Sequence, residues 1–479
     1  MWKPDDAGRR LNGLTLSMVC GLAAILSVLV LTDAMRADEW PQWGGSSDRN
    51  MVSVEKGLPE SFVPGKKDPQ GGGIIPGTTE NVQWSVKVGT ATYSTPAVAD
   101  GKVFIGTCID GFGTLKCLDA RNGDLLWQWA AAAREVPEIL AGGRFCFRNH
   151  PKRLGLTSTP TVEAGRIYFV THRCEVLCLD ADDGAPLWSF DMYDEVGTRP
   201  ADACHANVLI DGDILYVGTC NGVDRYAQAR EHGERRKPPA PLAPSLIALE
   251  KETGRLVAVD DERIGMRVLH GQWSSPSLGT VGGKKLVFFG GGDGICYAFE
   301  ALATVPERPV KLKTAWTFDC NPPEYKQYEG LDPIEHFARG DKRRADTIND
   351  NDGTFLGLNA FIASPVFHNN RVYLAIGQDP EHGRGRGALW CIDASQSGDI
   401  TRTGRIWCYQ GLDRTLSTVS IADGKVYLPT IRAFWVLAAG KEEKVLDQIS
   451  LGAPTWASPV AADGTLYVSS RHYLWAVHK

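Results

Sequence analysis

The stretch Asp379-Pro-Glu-His382 places carboxylate oxygens and an imidazole side by side, the donor types that hold a divalent ion or relay a proton. It lies in a Gly-rich hairpin, GQDPEHGRGRG, where the same groups could equally hydrogen-bond within their own loop. Two further pairs carry similar chemistry, His270-Gly-Gln272 and His205-Ala-Asn207. With Asn359 and Gln378 nearby, a fold that gathered these side chains at one mouth of a channel would make a polar pocket of His205, Asn207, His270, Gln272, Asp379 and His382. Their spacing assigns no catalytic residue and no cofactor ligand.

Metal motifs elsewhere fail on spacing. Asn349-Asp-Asn-Asp-Gly353 has the look of a calcium loop, but Ile348 stands where the first acidic ligand is required and Asn359 where the closing Glu is required. Cys174 and Cys178, if they share one strand, lie about 13 Å apart, too far for a disulfide. No pair of C-x-x-C motifs offers a zinc site. If Cys20 is removed with a leader, eleven of the 12 cysteines remain, an odd number, so one must stay unpaired or bridge two chains.

The elements that would position such groups are written in a repeat. CLDARNGDLLW (117–127) and CLDADDGAPLW (178–188) share one frame: Cys-Leu-Asp-Ala, a Gly four residues after the Asp, and a Trp four residues later. Upstream of each lie a Ser-Thr-Pro, a Gly turn and an alternating apolar run, so each unit reads as four short strands. Further copies begin near Asn207, Ser275, Ser364, Thr418 and Ser458, the third having Ala258 where Trp is expected. The last lacks its fourth strand, and Val82-Gln-Trp84-Ser-Val86 is left over before the first. Pairing the two ends closes a ring and removes an exposed sheet edge. The expected fold is therefore all-β: a propeller of seven four-stranded antiparallel blades, or eight if an insertion holds another, closed by an N-terminal strand. Cys117, Cys178 and Cys391 occupy the position of Ala248 and Ala298, which predicts packed thiols rather than ligands.

Composition agrees with that fold. A chain of 479 residues, 43% hydrophobic, with 52 Gly and 27 Pro and no collagen period, suits many short strands and tight turns. The formal charge of −6 argues against nucleic acid as a partner, and the basic cluster Arg235-Arg236-Lys237 runs into prolines. Lys3, Arg9 and Arg10 precede an apolar run over 14–31, followed by Ala34-Met-Arg-Ala37. This is the pattern of a secretory signal, and Met35 at the cleavage motif leaves retention as an N-terminal membrane anchor open. No lipobox surrounds Cys20. The expected organisation is a leader over 1–37, a Pro/Gly-rich extension over 38–80 and the propeller over 81–479, exported to the periplasm or cell envelope.

The frame Asp-x-x-x-Gly-x-x-x-Trp resembles the tryptophan-docking motif of the PQQ-like repeat β-propellers, which include quinoprotein alcohol dehydrogenases and BamB-like proteins. The stretches EWPQWGG, HGQWSSPSLG, GGGDGICYAFE and GQDPEHGRGRGALWCID are similar to a planctomycete-type group of exported PQQ-binding-like propellers. The resemblance covers roughly residues 81–479 and implies that Trp84, Trp127, Trp188, Trp316 and Trp407 interlock neighbouring blades. It also raises PQQ and Ca²⁺ as cofactors. However, the adjacent cysteine pair that packs on the quinone in the dehydrogenases is missing, and their metal-binding and catalytic carboxylates match no position here. The favoured expectation is a binding or assembly platform in the envelope, its partner an envelope protein or a polysaccharide held by loop aromatics such as Tyr325, Tyr328 and Phe337. The alternative is a quinoprotein dehydrogenase acting on an alcohol or sugar. Insertions near 130–156, 222–244 and 319–360 are where such function would reside.

Overall fold

A four-strand unit with alternating apolar residues cannot bury both faces alone, so the units must stack. The computed structural model describes residues 39–70, 72–134, 153–200, 203–222, 240–268, 271–321, 363–377, 386–413, 415, 417–422, 424–429, 434–435, 451 and 457–478. These form seven antiparallel sheets. Sheet 1 comprises Ala97–Ala99, Lys102–Ile109, Phe112–Asp119 and Leu125–Ala132; sheet 2 comprises Thr161–Glu163, Arg166–Val170, Glu175–Asp180 and Pro186–Asp191. Sheet 3 is built from Leu209–Asp211, Ile214–Gly218, Leu246–Glu250 and Leu256–Val259, and sheet 4 from Ser277–Val281, Lys284–Gly290, Ile295–Glu300 and Thr314–Asp319. Val366–His368, Arg371–Ile376, Arg386–Asp393 and Arg405–Asp413 make sheet 5. Sheet 6 has Ser420–Ala422, Lys425–Pro429 and Phe434–Trp435; sheet 7 has Val460–Ala462, Thr465–Ser469 and Tyr473–Val477. The fourth strand of sheet 7 is Val82–Lys87, paired antiparallel with Tyr473–Val477, so the two ends of the chain close the ring. In sheets 1 and 2 the first strand is largely buried and the fourth largely exposed, which puts the first strands at the axis and the fourth at the rim.

The repeated Cys or Ala has a steric cause. In register across three strands stand an aromatic, the small residue and the Trp: Phe104, Cys117 and Trp127; Tyr168, Cys178 and Trp188; Phe288, Ala298 and Trp316; Tyr373, Cys391 and Trp407. The aromatic and the indole lean together over the small residue, with ring centroids 5.7–6.0 Å apart. A larger central side chain would separate them. None of the ten described cysteines is in a disulfide, and burial pushes the Cys117 thiol up to about 12. Cys174 is not on the strand with Cys178: it sits in the turn ahead of it with φ 65° and packs in one core with Cys204 and Cys220.

Four of the docked tryptophans bond the next sheet. The Nε1 of Trp84, Trp127, Trp188 and Trp316 donates to the carbonyl of Ala120, Ala181, Lys251 and Ala394 at 2.9–3.2 Å. Beneath the first three lie Gly123, Gly184 and Gly254, where a Cβ would come within 2.4–2.6 Å of the indole. The Gly of the frame is thus a requirement of close approach. Ion pairs such as Lys102–Asp182 and Arg166–Glu252 span the same seams. Being exposed, they contribute about 0–1 kcal/mol each, so the indoles dominate.

Two sheets depart from a simple four-stranded blade, and the first departure follows from the third repeat. With Ala258 in place of Trp, the seam between sheets 3 and 4 is held by Val310–Lys311, which adds to the edge of sheet 3 in parallel pairing, and by Leu302 N–H donating to the Tyr216 hydroxyl at 2.7 Å. Leu312 N–H also donates to Val259 O, and Arg255 donates to Glu307 O and Pro306 O. Gly398–Asp399 likewise adds a parallel strand to sheet 4. Tyr216→Phe removes the acceptor for Leu302 and should destabilise the fold by about 1–3 kcal/mol, read as a lowered urea midpoint; an unchanged midpoint would mean that the seam does not rely on this hydroxyl.

Candidate functional site

An antiparallel unit that starts at the axis puts its connections at two opposite ends. At one end the first and second strands are joined by two-residue turns, for example 100–101, 164–165 and 212–213. The long connections, 133–160, 219–245 and 320–365, all leave from the other end. In repeat folds, insertions on one face commonly mark the binding face.

At the axis, the first strands show edge N–H and C=O groups that must find partners. Near the insertion-bearing end a ring of side chains supplies them. The backbone N–H of Thr95 donates to Thr159 Oγ1, that of Thr159 to Asn207 Oδ1, and that of Asn207 to Ser275 Oγ. Ser275 continues to Ser364, Ser364 to Thr418, and Ser458 returns to Thr95, all at 2.6–3.3 Å. A hydroxyl or amide thus stitches six of the seven described seams between sheets.

The opposite end is sealed by residues 40–55. Trp40 exchanges both backbone bonds with Val98 at 2.9 Å. Val162 N–H donates to Pro41 O, Leu278 N–H to Ser47 O and Phe367 N–H to Asp48 O. Asn50 bonds Ile421 N–H and C=O through its side chain, Ser53 Oγ donates to Ala461 O, and Glu55 accepts from Gly464 N–H. Arg49, 0% exposed, reaches between sheets 3 and 4: Nη2 donates to Val208 O, Nε to Pro276 O, and Nη1 to Trp43 O and Gln42 Oε1. Burial pulls its guanidinium down to about 9, with Asp48 opposing the shift. Gly44, at φ +80°, would place a Cβ 2.7 Å from the Arg49 backbone, so the turn that presents the arginine needs glycine there. The extension over 38–80 is thus bonded into the propeller along its first half.

Of the expected pocket, the structure describes His205, Asn207 and Gln272. Asn207 belongs to the ring and its Nδ2 donates to Ser275 Oγ. Gln272 is buried and holds Asn221 O and Ser245 Oγ through Nε2 and accepts from Gly292 N–H. His205, half-buried, meets Trp273 edge-on at 6.1 Å. His270, Asp379 and His382 lie outside the described residues, as do Asn359, Gln378 and the loop aromatics Tyr325, Tyr328 and Phe337. Asn207 and Gln272 do not fit a quinone ligand, because both amides are engaged with neighbouring strands and loops. Among the described residues, no group of three His, Cys, Asp or Glu could hold a metal ion.

Two other features were not legible beforehand. A cavity of about 570 Å³ opens at the seam lacking a Trp, between 211–214, 283–285 and 300–305. Its Lys285 is paired with Asp211, and Glu300 with Lys313. His172 is 0% exposed against Gly113, beside the Ala131 and Ala132 carbonyls, yet neither ring nitrogen makes a hydrogen bond of good geometry. Burial pulls its pKa down to about 4, with the neighbouring carbonyls opposing and Arg173 assisting.

The ring and the histidine yield separate tests. Asn207→Ala leaves the Thr159 N–H without its acceptor and should lower stability by about 1–3 kcal/mol in urea unfolding; no loss would make the ring incidental. His172, neutral when folded and titrating near 6.5 when unfolded, contributes stability present above pH 6.5 and lost as pH falls toward 4. His172→Asn should flatten that part of the stability profile, removing about 3 kcal/mol of pH dependence. An unchanged slope would assign the acid sensitivity to other groups.

Comparison with known proteins adds the following. The family model described as outer membrane protein assembly factor BamB matches residues 75–302. BamB of Escherichia coli (strain K12) is 28% identical over 132 residues, which is 26% of this chain and 29% of that protein. The chain thus spans under a third of the length of the curated relatives it matches. Among solved structures, quinohemoprotein alcohol dehydrogenase from Comamonas testosteroni is similar with a TM-score of 0.45 and 12% identity, over 94% of this chain and 82% of that one. BamB from Moraxella catarrhalis is similar with a TM-score of 0.37 and 12% identity, over 82% of this chain and 96% of that one.

Proposed function

As a chain that fits the PQQ-like repeat β-propeller superfamily, the protein is, we propose, an exported binding or assembly platform of the cell envelope, with its partner docking on the insertion-bearing end. The asymmetry of the two ends carries this reading. One end is closed by residues 40–55 and two-residue turns, while the long connections all leave from the other. A rigid scaffold with long loops on one side is suited to recognition. The E. coli relative is an outer membrane protein assembly factor; a role of the same kind, toward an envelope protein or a polysaccharide, is part of this proposal, as is export by a leader over 1–37 that is either cleaved or kept as an anchor. Fold alone does not fix the choice.

Photocrosslinkers placed in the three long insertions should capture one specific envelope component in intact cells, and crosslinkers on the two-residue turns should not. Capture of nothing beyond abundant background from the insertions would count against the platform. Calorimetry with PQQ and Ca²⁺, followed by dye reduction over alcohols and sugars, should show neither binding at high micromolar ligand nor turnover. Tight binding with turnover would replace the platform by a quinoprotein dehydrogenase.

A further inference from the structure

We propose that the seven inner strands form a peptide-binding groove whose resident ligand is the chain's own segment 40–55, and that this ligand exchanges with a free peptide of the same sequence. The ligand class is an extended peptide with a tight Gly-Gly turn that presents an arginine.

The bonding pattern is that of recognition by strand edges. Segment 40–55 belongs to no sheet of the propeller. Its partners are the middle residues of successive inner strands: Val98, Val162, Leu278, Phe367, Ile421 and Ala461. They are met in chain order around the axis, through backbone N–H and C=O groups that would otherwise face the axis unpaired. This is the chemistry by which a sheet edge takes up an extended peptide, main-chain bonds giving affinity and side-chain anchors giving register. Here the anchors are Trp40, packed with Trp84, Val98 and Tyr467, and Arg49 on the two carbonyls that fill the gap at sheet 3.

The link back to the propeller is exposed. Lys56, Gly57, Glu60 and Ser61 are open to solvent, and a Cβ at Gly57 would meet nothing within 4 Å. The segment therefore reaches its groove across a short solvent-exposed connection, so its occupancy is set by effective concentration as much as by affinity. While it is seated, the sealed end is closed to other extended chains, and partners are confined to the opposite end.

The test inserts a site-specific protease sequence between Lys56 and Gly57 of the full chain and cuts it after folding. Uncut insertion protein with the thermal midpoint of the unmodified chain establishes that the fold is intact. After cutting, the N-terminal fragment should co-elute with the propeller, and a fluorescent peptide of residues 38–56 in excess should displace it, raising anisotropy. The same peptide should give no rise with uncut protein, whose groove is filled. An Arg49→Ala peptide should compete at least about tenfold less well, equivalent to losing roughly 1.4 kcal/mol. The proposal fails if the cut fragment leaves at once and the peptide gives no signal, or if the fragment never exchanges. The proposed platform role is read separately, because crosslinking from the insertions does not depend on what fills this groove.

Discussion

The structure rests on the unpaired backbone groups of its inner strands. Each of the described strands that meet at the axis leaves one edge without a neighbour, and buried N–H and C=O groups cannot be left unbonded without a cost of about 1–3 kcal/mol each. The chain meets this demand twice. Toward the insertion-bearing end, hydroxyls and Asn207 pass hydrogen bonds from sheet to sheet. Toward the other, residues 40–55 run around the axis and satisfy the edges one by one. The first of these devices engages Asn207, one of the axial polar groups, in holding the ring.

Around that axis the seams are variations on one solution. A Trp leaning with an aromatic over a small residue, its Nε1 on the next sheet's carbonyl and a Gly beneath it, recurs at Trp84, Trp127 and Trp188. Where Ala258 interrupts the series, a longer connection supplies a parallel strand and the Tyr216 hydroxyl supplies the bond. The local loss is answered by backbone pairing, which needs no particular side chain.

Much of this was legible in the sequence. The Cys-Leu-Asp-Ala, Gly and Trp spacing gives the blade, and the left-over strand at Val82 gives the closure, because both follow from period-two alternation and turn chemistry. The Ser, Thr or Asn at the start of each unit was visible as repetition, but its ring of bonds was not, since each acceptor belongs to the neighbouring unit some forty to ninety residues away. Arg49 was missed for a related reason: in a Pro/Gly-rich extension an arginine reads as solvated, and only the closed ring creates the carbonyls that hold it. Of the expected pocket, Asn207 and Gln272 bond neighbouring strands and loops, while His270, Asp379 and His382 lie outside the described residues.

The closing strand and the axial segment share a temporal consequence. Val82–Lys87 has no partner until Tyr473–Val477 is available, and residues 40–55 cannot make their full circuit until the seventh sheet has joined the ring. The earliest part of the chain is therefore the last to be satisfied, a high-contact-order arrangement that folds slowly. A partly emerged chain would display free inner edges and the indoles of Trp40 and Trp84, which share a core with Tyr467 and Leu474 of the last sheet, and such exposed apolar surface is what quality-control proteases and holdases recognise. Completion of the ring would erase that signature in one step, making the seal a built-in report that every blade is present.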